Sequence, residues 1–312
     1  MRIVTWAVLV VLACASLLSC SKSEEPATVA EQHQLPDELT PEERERPSWY
    51  PPENPLGGLS LDVLDTLRVR KKLHKITRDQ YWQDRGGVLA NDDFEVWYPR
   101  GRTTVTHGMR MFDEIMPAKR KFESVFGRAP AEPVVVLIPQ ELDVYQEWTG
   151  QDYWHYSQIR GDTLVFQPIY ILVKRGLATI GVTHEYFQWA IGRFTGHGAP
   201  RWLEEGLASY YSDEAEILKA QMLEFPERRD DMTVDIVEGI LDVQEEKGAT
   251  RIAYYRSYLM VQQLVDTYGE PKVVEVVTLL AEGRALDEAF RGAFGKSYQD
   301  VLIIASNYTI EI

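Results

Sequence analysis

The sequence contains very little cysteine. Its 312 residues include only two, Cys14 and Cys20, and both belong to the first hydrophobic segment of the chain. The rest of the chain therefore has no partner for a disulfide and no thiol that could serve as a nucleophile or a metal ligand. Its stability must come from an apolar core, and 45% hydrophobic residues over this length can supply one.

Positive charge is also scarce. The chain has 33 lysine and arginine residues against 48 aspartate and glutamate residues, and its formal net charge is −15. This balance argues against nucleic acid or anionic lipid headgroups as a partner, and we expect no nucleic-acid partner. Signatures of a serine-hydrolase elbow (Gly-x-Ser-x-Gly) and of a phosphate-binding loop are also missing.

One hydrophobic run is present at the start, over residues 3–18. It is short for a transmembrane helix and has the form of a secretory signal peptide. It leads into Leu17-Leu18-Ser19-Cys20, which resembles the lipobox of bacterial lipoproteins. A second match ending at Cys14 leaves too little apolar sequence ahead of it, and a plain signal peptide or an anchor helix is the remaining alternative.

The lipobox resemblance implies that residues 1–19 are a signal peptide and that Cys20 becomes the lipid-modified N-terminus. We therefore expect a protein held at the bacterial cell envelope through its lipid, in the outer membrane if the host has one.

Composition divides the remaining chain into three parts. Residues 20–58 hold seven of the sixteen prolines and many acidic residues, which predicts a disordered tether. Residues 59–90 begin with apolar residues at helical spacing, which predicts a helical lead-in. Residues 91–312 are assigned to the main domain.

Within the main domain, strands precede helices. Strands are predicted at 93–99, 134–138 and 162–173, and Pro168 suggests that the last is an edge strand or contains a bulge. A helix is predicted between the first two strands, at 106–126. Further helices are predicted at 176–193, 200–212, 214–224, 233–244, 253–268, 271–281 and 285–293. This order predicts an α+β fold.

The first chemical motif begins at His184-Glu185 and ends at Gln188. On a helix, residues 184 and 188 lie one turn apart on the same face. Zinc helices carry histidine at both positions, and the glutamate after the first histidine takes a proton from the metal-bound water. His184 is therefore a candidate metal ligand and Glu185 a candidate general base, while Gln188 stands where the second histidine is expected.

A second motif, Pro-Arg-Trp-Leu-Glu-Glu-Gly-Leu-Ala at residues 200–208, begins a helix at a proline and presents two adjacent carboxylates. Together the two motifs resemble the core of the peptidase MA-like family of gluzincin zinc metallopeptidases, in which a HExxH helix precedes a P-x-W-L-x-E-G-L-A-x-Y helix. Residues 254–270 and 279–301 resemble the distal helices of that family, so the likeness covers roughly residues 90–305.

This resemblance implies a small N-terminal mixed sheet with helices, followed by a mainly helical part around the HExx(H/Q) helix. It also implies that zinc is the cofactor, with Glu205 as the third ligand, and that a peptide or protein bound along an edge strand is hydrolysed. Tyr254 occupies the position of a tyrosine that stabilises the oxyanion, although a tyrosine at helical spacing is also typical of a core.

Gln188 leaves the activity open, because an amide oxygen is a weaker zinc donor than an imidazole. His197, between two glycines in the loop that joins the motifs, is a possible substitute ligand or else a surface histidine. Two functions follow: an envelope-anchored zinc metallopeptidase, or a catalytically inactive homologue that binds a peptide or protein.

Overall fold

The structure, a computed structural model, describes residues 86–99, 105–225, 232–244 and 246–308. The predicted signal peptide, Cys20, the tether and residues 59–85 of the helical lead-in lie outside the described residues. Within those four ranges, no helix has both the length and the apolar character needed to cross a membrane.

Five short strands form one mixed sheet in the order β1-β2-β3-β5-β4. β1 (Gly86–Ala90) runs antiparallel to β2 (Phe94–Pro99), and β2 runs parallel to β3 (Val134–Leu137). β3 is parallel to β5 (Thr163–Phe166), which pairs in antiparallel fashion with β4 (Ser157–Arg160). The mixed sheet implied by the family resemblance is therefore present, and β1 and β4 are its edges.

The last five residues of the predicted helical lead-in, Gly86–Ala90, are a strand rather than a helix. Two successive glycines disfavour a helix at this point. Gly87 also lies against the ring of Tyr98 on β2, where a Cβ atom would come within 2.5 Å of the ring. β1 can therefore pair with β2 here because Gly87, which has no side chain, leaves room for the ring of Tyr98.

The prediction of a strand at 162–173 is wrong in the length of the strand and in its suggested position at the edge of the sheet. Only β5 is extended, Pro168 follows it, and Ile169–Lys174 form helix α3. Proline lacks the N–H that a strand ladder needs, and its fixed φ suits the start of a helix. β5 is also internal, so the open edge on this side belongs to β4, which was not predicted.

The helices dominate the second half of the chain, as predicted. They are α1 (Val105–Phe126), α2 (Leu142–Thr149), α3 (Ile169–Lys174), α4 (Ala178–Phe194), α5 (Arg201–Tyr211), α6 (Ala215–Leu223), α7 (Val234–Val243), α8 (Lys247–Tyr268), α9 (Glu270–Ala281), α10 (Leu286–Phe294) and α11 (Tyr298–Ala305). Of these, α2 and α11 lie outside the predicted helical ranges, α3 lies where a strand was predicted, and α8 begins six residues earlier than predicted, at Lys247.

The motif helices α4 and α5 lie in the core. Every residue of α4 from Gly181 to Gly192 is buried, and α1 packs against it through Phe122, whose ring centroid is 5.2 Å from that of Phe187. α5 packs closely on α8 at Gly206, which has no side chain. A Cβ atom added to Gly206 would lie only 2.3 Å from the carbonyl oxygen of Ser257. Packing of this kind fixes the relative positions of the motif residues.

Candidate functional site

The two motif helices bring three of the predicted ligand residues together. Nε2 of His184 lies 2.9 Å from Oε1 of Glu205, and Nε2 of Gln188 donates a hydrogen bond of 2.6 Å to Oε2 of the same glutamate. All three side chains are buried. His184 and Glu205 therefore meet as the family resemblance implies, and Gln188 joins them.

Glu214, which lies outside both sequence motifs, completes this cluster. Its Oε2 lies 2.8 Å from Nδ1 of His184, and its carboxylate also accepts hydrogen bonds from Tyr156 at 3.3 Å and from Ser209 at 3.3 Å. A carboxylate on the second nitrogen of a histidine fixes the orientation of the ring. Here it directs Nε2 towards Glu205.

The imidazole of His184 is thus held between two carboxylates in the protein interior. Its contacts with the two carboxylates are short, but their angles are not those of hydrogen bonds. Nδ1 of His184 and Oε1 of Glu205 are therefore buried without a well-aligned hydrogen-bond partner. Burial alone lowers the pKa of His184, but Glu214 and Glu205 outweigh this effect and raise it well above its usual value. The ring is therefore charged over a wide range of pH, and it balances part of the negative charge of the two glutamates.

Glu185, the candidate general base, lies next to this cluster and lines the same cleft. Burial raises the pKa of Glu185 to about 7, although the charge of His184 and a hydrogen bond with Ser157 act in the opposite direction. A carboxyl group with such a pKa exchanges its proton near neutral pH.

Tyr254 reaches the cleft from α8. Its ring centroid lies 6.5 Å from that of His184, and burial, followed by the charges of Glu205 and Glu185, raises the pKa of Tyr254 well above its usual value. The phenol therefore keeps its proton and can donate a hydrogen bond to a ligand. The structure places Tyr254 beside the candidate metal ligands, and its role towards an oxyanion remains a prediction.

His197 lies further along the cleft. A Cβ atom on Gly192, one turn beyond Gln188, would lie 3.1 Å from Nδ1 of His197 and 3.6 Å from Oε1 of Glu204. Burial lowers the pKa of His197, and the charges of Arg193 and Arg201 lower it further. The described contacts of His197 are thus with Gly192 and its surroundings, and its role as a substitute ligand remains a prediction.

A cleft of about 700 Å³ lies over the cluster. The edge strand β4 lines one side and α8 lines another. The hydrogen bond from Gln167 N to Tyr156 O, together with the register of β4 and β5, directs the backbone groups of Ser157 and Ile159 away from β5. An extended peptide could pair with this open edge.

The donor set does not fit a complete zinc site. Among the residues that the structure describes, no three His, Cys, Asp or Glu side chains are placed to hold a metal ion. His184 and Glu205 are two suitable donors. Gln188 directs its amide nitrogen, rather than its carbonyl oxygen, at Glu205, because a carboxylate can only accept.

Comparison with known families places the cluster in context. Residues 130–302 match the family model described as the Peptidase MA superfamily. This stretch contains both motifs, Glu214 and Tyr254. No curated protein matches the chain.

The chain is also similar to several solved structures, including two M1 zinc metallopeptidases. A mutant M1 zinc metallopeptidase from Deinococcus radiodurans bound to a Tyr-Ser-Ala substrate is 16% identical, with a TM-score of 0.43 over 73% of this chain and 52% of that chain. A two-domain M1 zinc metallopeptidase mutant bound to L-arginine is 16% identical, with a TM-score of 0.44 over the same shares. The chain spans about half the length of these proteins.

Proposed function

The chain belongs to the peptidase MA superfamily, and from this premise we propose that it binds a peptide or an extended protein segment in its cleft without hydrolysing it. The observation that carries the proposal is the 2.6 Å hydrogen bond from Gln188 to Glu205. Glu205 is the implied third zinc ligand, and Gln188 stands in the place of the second. The bond therefore ties up Glu205 with the very residue that replaces its expected co-ligand.

Gln188 stands in the place of an imidazole that would bind zinc. Altering a residue that only supports a metal ligand costs about 10- to 100-fold in metal affinity or activity. Replacing a ligand itself by a neutral amide should cost more, and here the amide must also break its bond to Glu205 before its oxygen can turn to a metal. His184 meanwhile has close contacts with Glu205 and Glu214 that need no metal.

Peptide binding is supported by features that do not depend on zinc. The open edge of β4 offers backbone donors and acceptors at Ser157 and Ile159, and pairing with such an edge is a common way to hold an extended peptide. The adjoining cleft combines apolar side chains, such as Leu177 and Leu241, with a cluster of charged groups. This combination is typical of a ligand-binding cleft.

A second candidate is the zinc metallopeptidase that the resemblance implies. It is favoured by one observation: Oε1 of Glu205 is buried, has no well-aligned hydrogen-bond partner and lies 2.9 Å from Nε2 of His184. His184, after losing its proton, and Glu205 would then be the residues that hold a metal ion. In that case Zn²⁺ would supply Lewis-acid chemistry, and Glu185 would be the nearby base.

Equilibrium binding and cleavage should be measured together to separate the two candidates. The full chain is mixed with a fluorescent pool of random peptides, with added zinc or with a chelator, and cleavage is followed by mass spectrometry. We expect binding that does not change on chelation, and intact peptides. Zinc-dependent cleavage that disappears in Glu185→Gln would overturn the non-catalytic function and establish the peptidase.

We also propose that the protein is anchored to the bacterial cell envelope through a lipid on Cys20. The support is the lipobox-like sequence that ends at Cys20. The test is metabolic labelling with a fatty-acid analogue in a bacterial host. We expect label and membrane association in the wild type and neither in Cys20→Ala, whereas a Cys14→Ala variant should behave as the wild type. Equal labelling of Cys20→Ala would contradict the proposal.

A further inference from the structure

Two arginines line the cleft in addition to Arg201, which pairs with Glu204. Arg175 follows helix α3, and Arg251 belongs to α8, one turn before Tyr254. The net charge of the chain is −15, and the cluster around His184 is rich in carboxylates. The cleft therefore holds cationic side chains as well as carboxylates.

Arg175 is held by a neutral partner. Its Nη1 donates to Oε1 of Gln167 at 3.3 Å. Gln167 is fully buried and is itself fixed, because its Nε2 donates to the carbonyl oxygens of Tyr153 at 2.6 Å and His155 at 2.8 Å. Among the described side chains, no carboxylate forms an ion pair with Arg175. Within the described part of the chain, its remaining N–H groups thus have no carboxylate partner.

Arg251 is positioned by a different set of contacts. Its Nη1 lies 2.8 Å from Oε2 of Glu224, and its guanidinium carbon lies 6.0 Å from the ring centroid of Phe225. The Arg251 side chain is only 10% exposed, whereas that of Glu224 is 58% exposed. Arg251 is therefore fixed within the wall of the cleft, while its acidic partner lies towards solvent.

Both guanidinium groups line the same cleft. Burial lowers the pKa of Arg175, and the charge of Arg251 lowers it further. His155 lines the same cleft and adds little charge at neutral pH, because burial lowers its pKa to about 4. Glu224 balances the charge of Arg251, whereas no carboxylate among the described residues pairs with Arg175, and a partly buried charge without such a partner is costly.

We propose that the arginine pair, Arg175 and Arg251, binds a carboxylate of the peptide held in the cleft. This inference rests on the proposed peptide-binding function and adds a specificity to it: the ligand is an acidic peptide. A guanidinium presents a planar set of N–H donors that matches a carboxylate. The carboxylate is either the C-terminus of the peptide or an aspartate or glutamate side chain, since both present the same group.

Peptides that differ only in their carboxylates provide the test. Fluorescent pools of random sequence are prepared with a free or an amidated C-terminus, and each pool is made either with Asp and Glu or with Asn and Gln in their place. Their dissociation constants are measured by fluorescence polarisation for the wild type, Arg175→Gln, Arg175→Lys and Lys174→Gln. The last variant is the matched control, because Lys174 is exposed, adjacent in sequence and of the same charge.

We expect the wild type to bind a carboxylate-bearing pool about 10- to 100-fold more tightly than the fully neutral pool, the range for a hydrogen bond to a charged group. Arg175→Gln should remove this preference, Arg175→Lys should keep part of it, and Lys174→Gln should keep all of it. The pool that retains the preference identifies the C-terminal or the side-chain carboxylate.

Two negative results have different meanings. If all pools bind the wild type equally and Arg175→Gln changes none of the affinities, the carboxylate site is wrong and peptide binding stands. If no pool binds the wild type, both the proposed function and this inference are overturned. If Arg175→Gln does not fold, Arg175→Lys and the comparison of wild-type affinities still decide the question.

Discussion

The amide nitrogen of Gln188 lies 2.6 Å from Oε2 of Glu205, and this hydrogen bond joins helices α4 and α5. It stands where the family resemblance implies two ligands of one metal ion. Because His184 contacts the other oxygen of Glu205 at 2.9 Å, both carboxylate oxygens already face protein groups. A metal ion would have to displace one of them.

Replacing Gln188 with histidine should restore zinc binding. The substitution removes the amide that donates to Glu205 and supplies an imidazole one turn after His184. We expect zinc affinity to rise by more than about 10- to 100-fold, the range for changes to a supporting residue alone. Zinc content after dialysis and competition with a chelator would measure it. The control is Gln188→His combined with Glu205→Gln, which should not gain affinity. Equal gain in both variants would mean that Glu205 is not a ligand.

Replacing His184 with asparagine should destabilise the protein. The shorter side chain cannot contact both Glu205 and Glu214, so two buried carboxylates lose the cation between them. Removing one partner of a buried ion pair lowers the free energy of unfolding by about 3–5 kcal/mol. Urea denaturation would measure the loss.

His197→Asn is the control for this substitution. His197 has a φ of 60°, which asparagine tolerates better than most residues, and we expect a change within about 0.5 kcal/mol. A similar loss in both variants would show that the His184 cluster contributes nothing special. Adding Glu214→Gln to His184→Asn should recover part of the stability, because it removes one of the two charges.

The sequence was sufficient to predict the meeting of His184 and Glu205, because both residues lie in helical motifs whose order and spacing resemble one family. It was not sufficient for Glu214. Glu214 is one of 48 acidic residues, and nothing in the neighbouring sequence indicates that its side chain, at the start of α6, contacts a histidine on α4. That contact depends on how three helices pack.

The sheet was predicted less completely than the helices. Val134–Leu137 is continuously apolar and was recognised, whereas Ser157–Arg160 is polar and short and was missed. An edge strand with one open side needs no strong apolar pattern, so its position is set by pairing with β5. The strand best placed to pair with a peptide was therefore the one that the sequence signalled least.

Gly206 should be intolerant of a larger side chain. A Cβ atom there would lie 2.3 Å from the carbonyl oxygen of Ser257 and 2.6 Å from Cγ2 of Val261, and backbone cannot move aside without separating α5 from α8. We expect Gly206→Ala to cost about 1–3 kcal/mol or more in the free energy of unfolding, measured by urea denaturation.

The matched substitution is Gly239→Ala in α7. An added Cβ atom meets nothing within 4 Å at this position, and alanine favours a helix over glycine by about 1 kcal/mol. We therefore expect unchanged or slightly higher stability. If Gly206→Ala were tolerated as well as Gly239→Ala, the close approach of α5 and α8 would be incorrect.

The start of α5 depends on a side chain from another helix. Pro200 precedes α5 and forms no side-chain cap. Glu238 of α7 instead accepts hydrogen bonds from the backbone N–H groups of Arg201 at 3.2 Å and Trp202 at 2.7 Å. Loss of a helix cap costs about 0.5–2 kcal/mol, so Glu238→Ala should lower the free energy of unfolding by an amount in this range.

Amide hydrogen exchange would locate this effect. In Glu238→Ala, the amides of Arg201 and Trp202 should exchange faster, since they lose their acceptor, while amides in the middle of α8 should be unchanged under native conditions. Asp242→Ala is the control, because the Asp242 side chain is 66% exposed and its Oδ1 lies 3.9 Å from Nε of Arg201, and an exposed ion pair of this kind contributes little. Equal acceleration in both variants would reject the cap. Faster exchange in Glu238→Ala alone would show that α7 fixes the first turn of α5, and so helps to position Glu205 one turn further on.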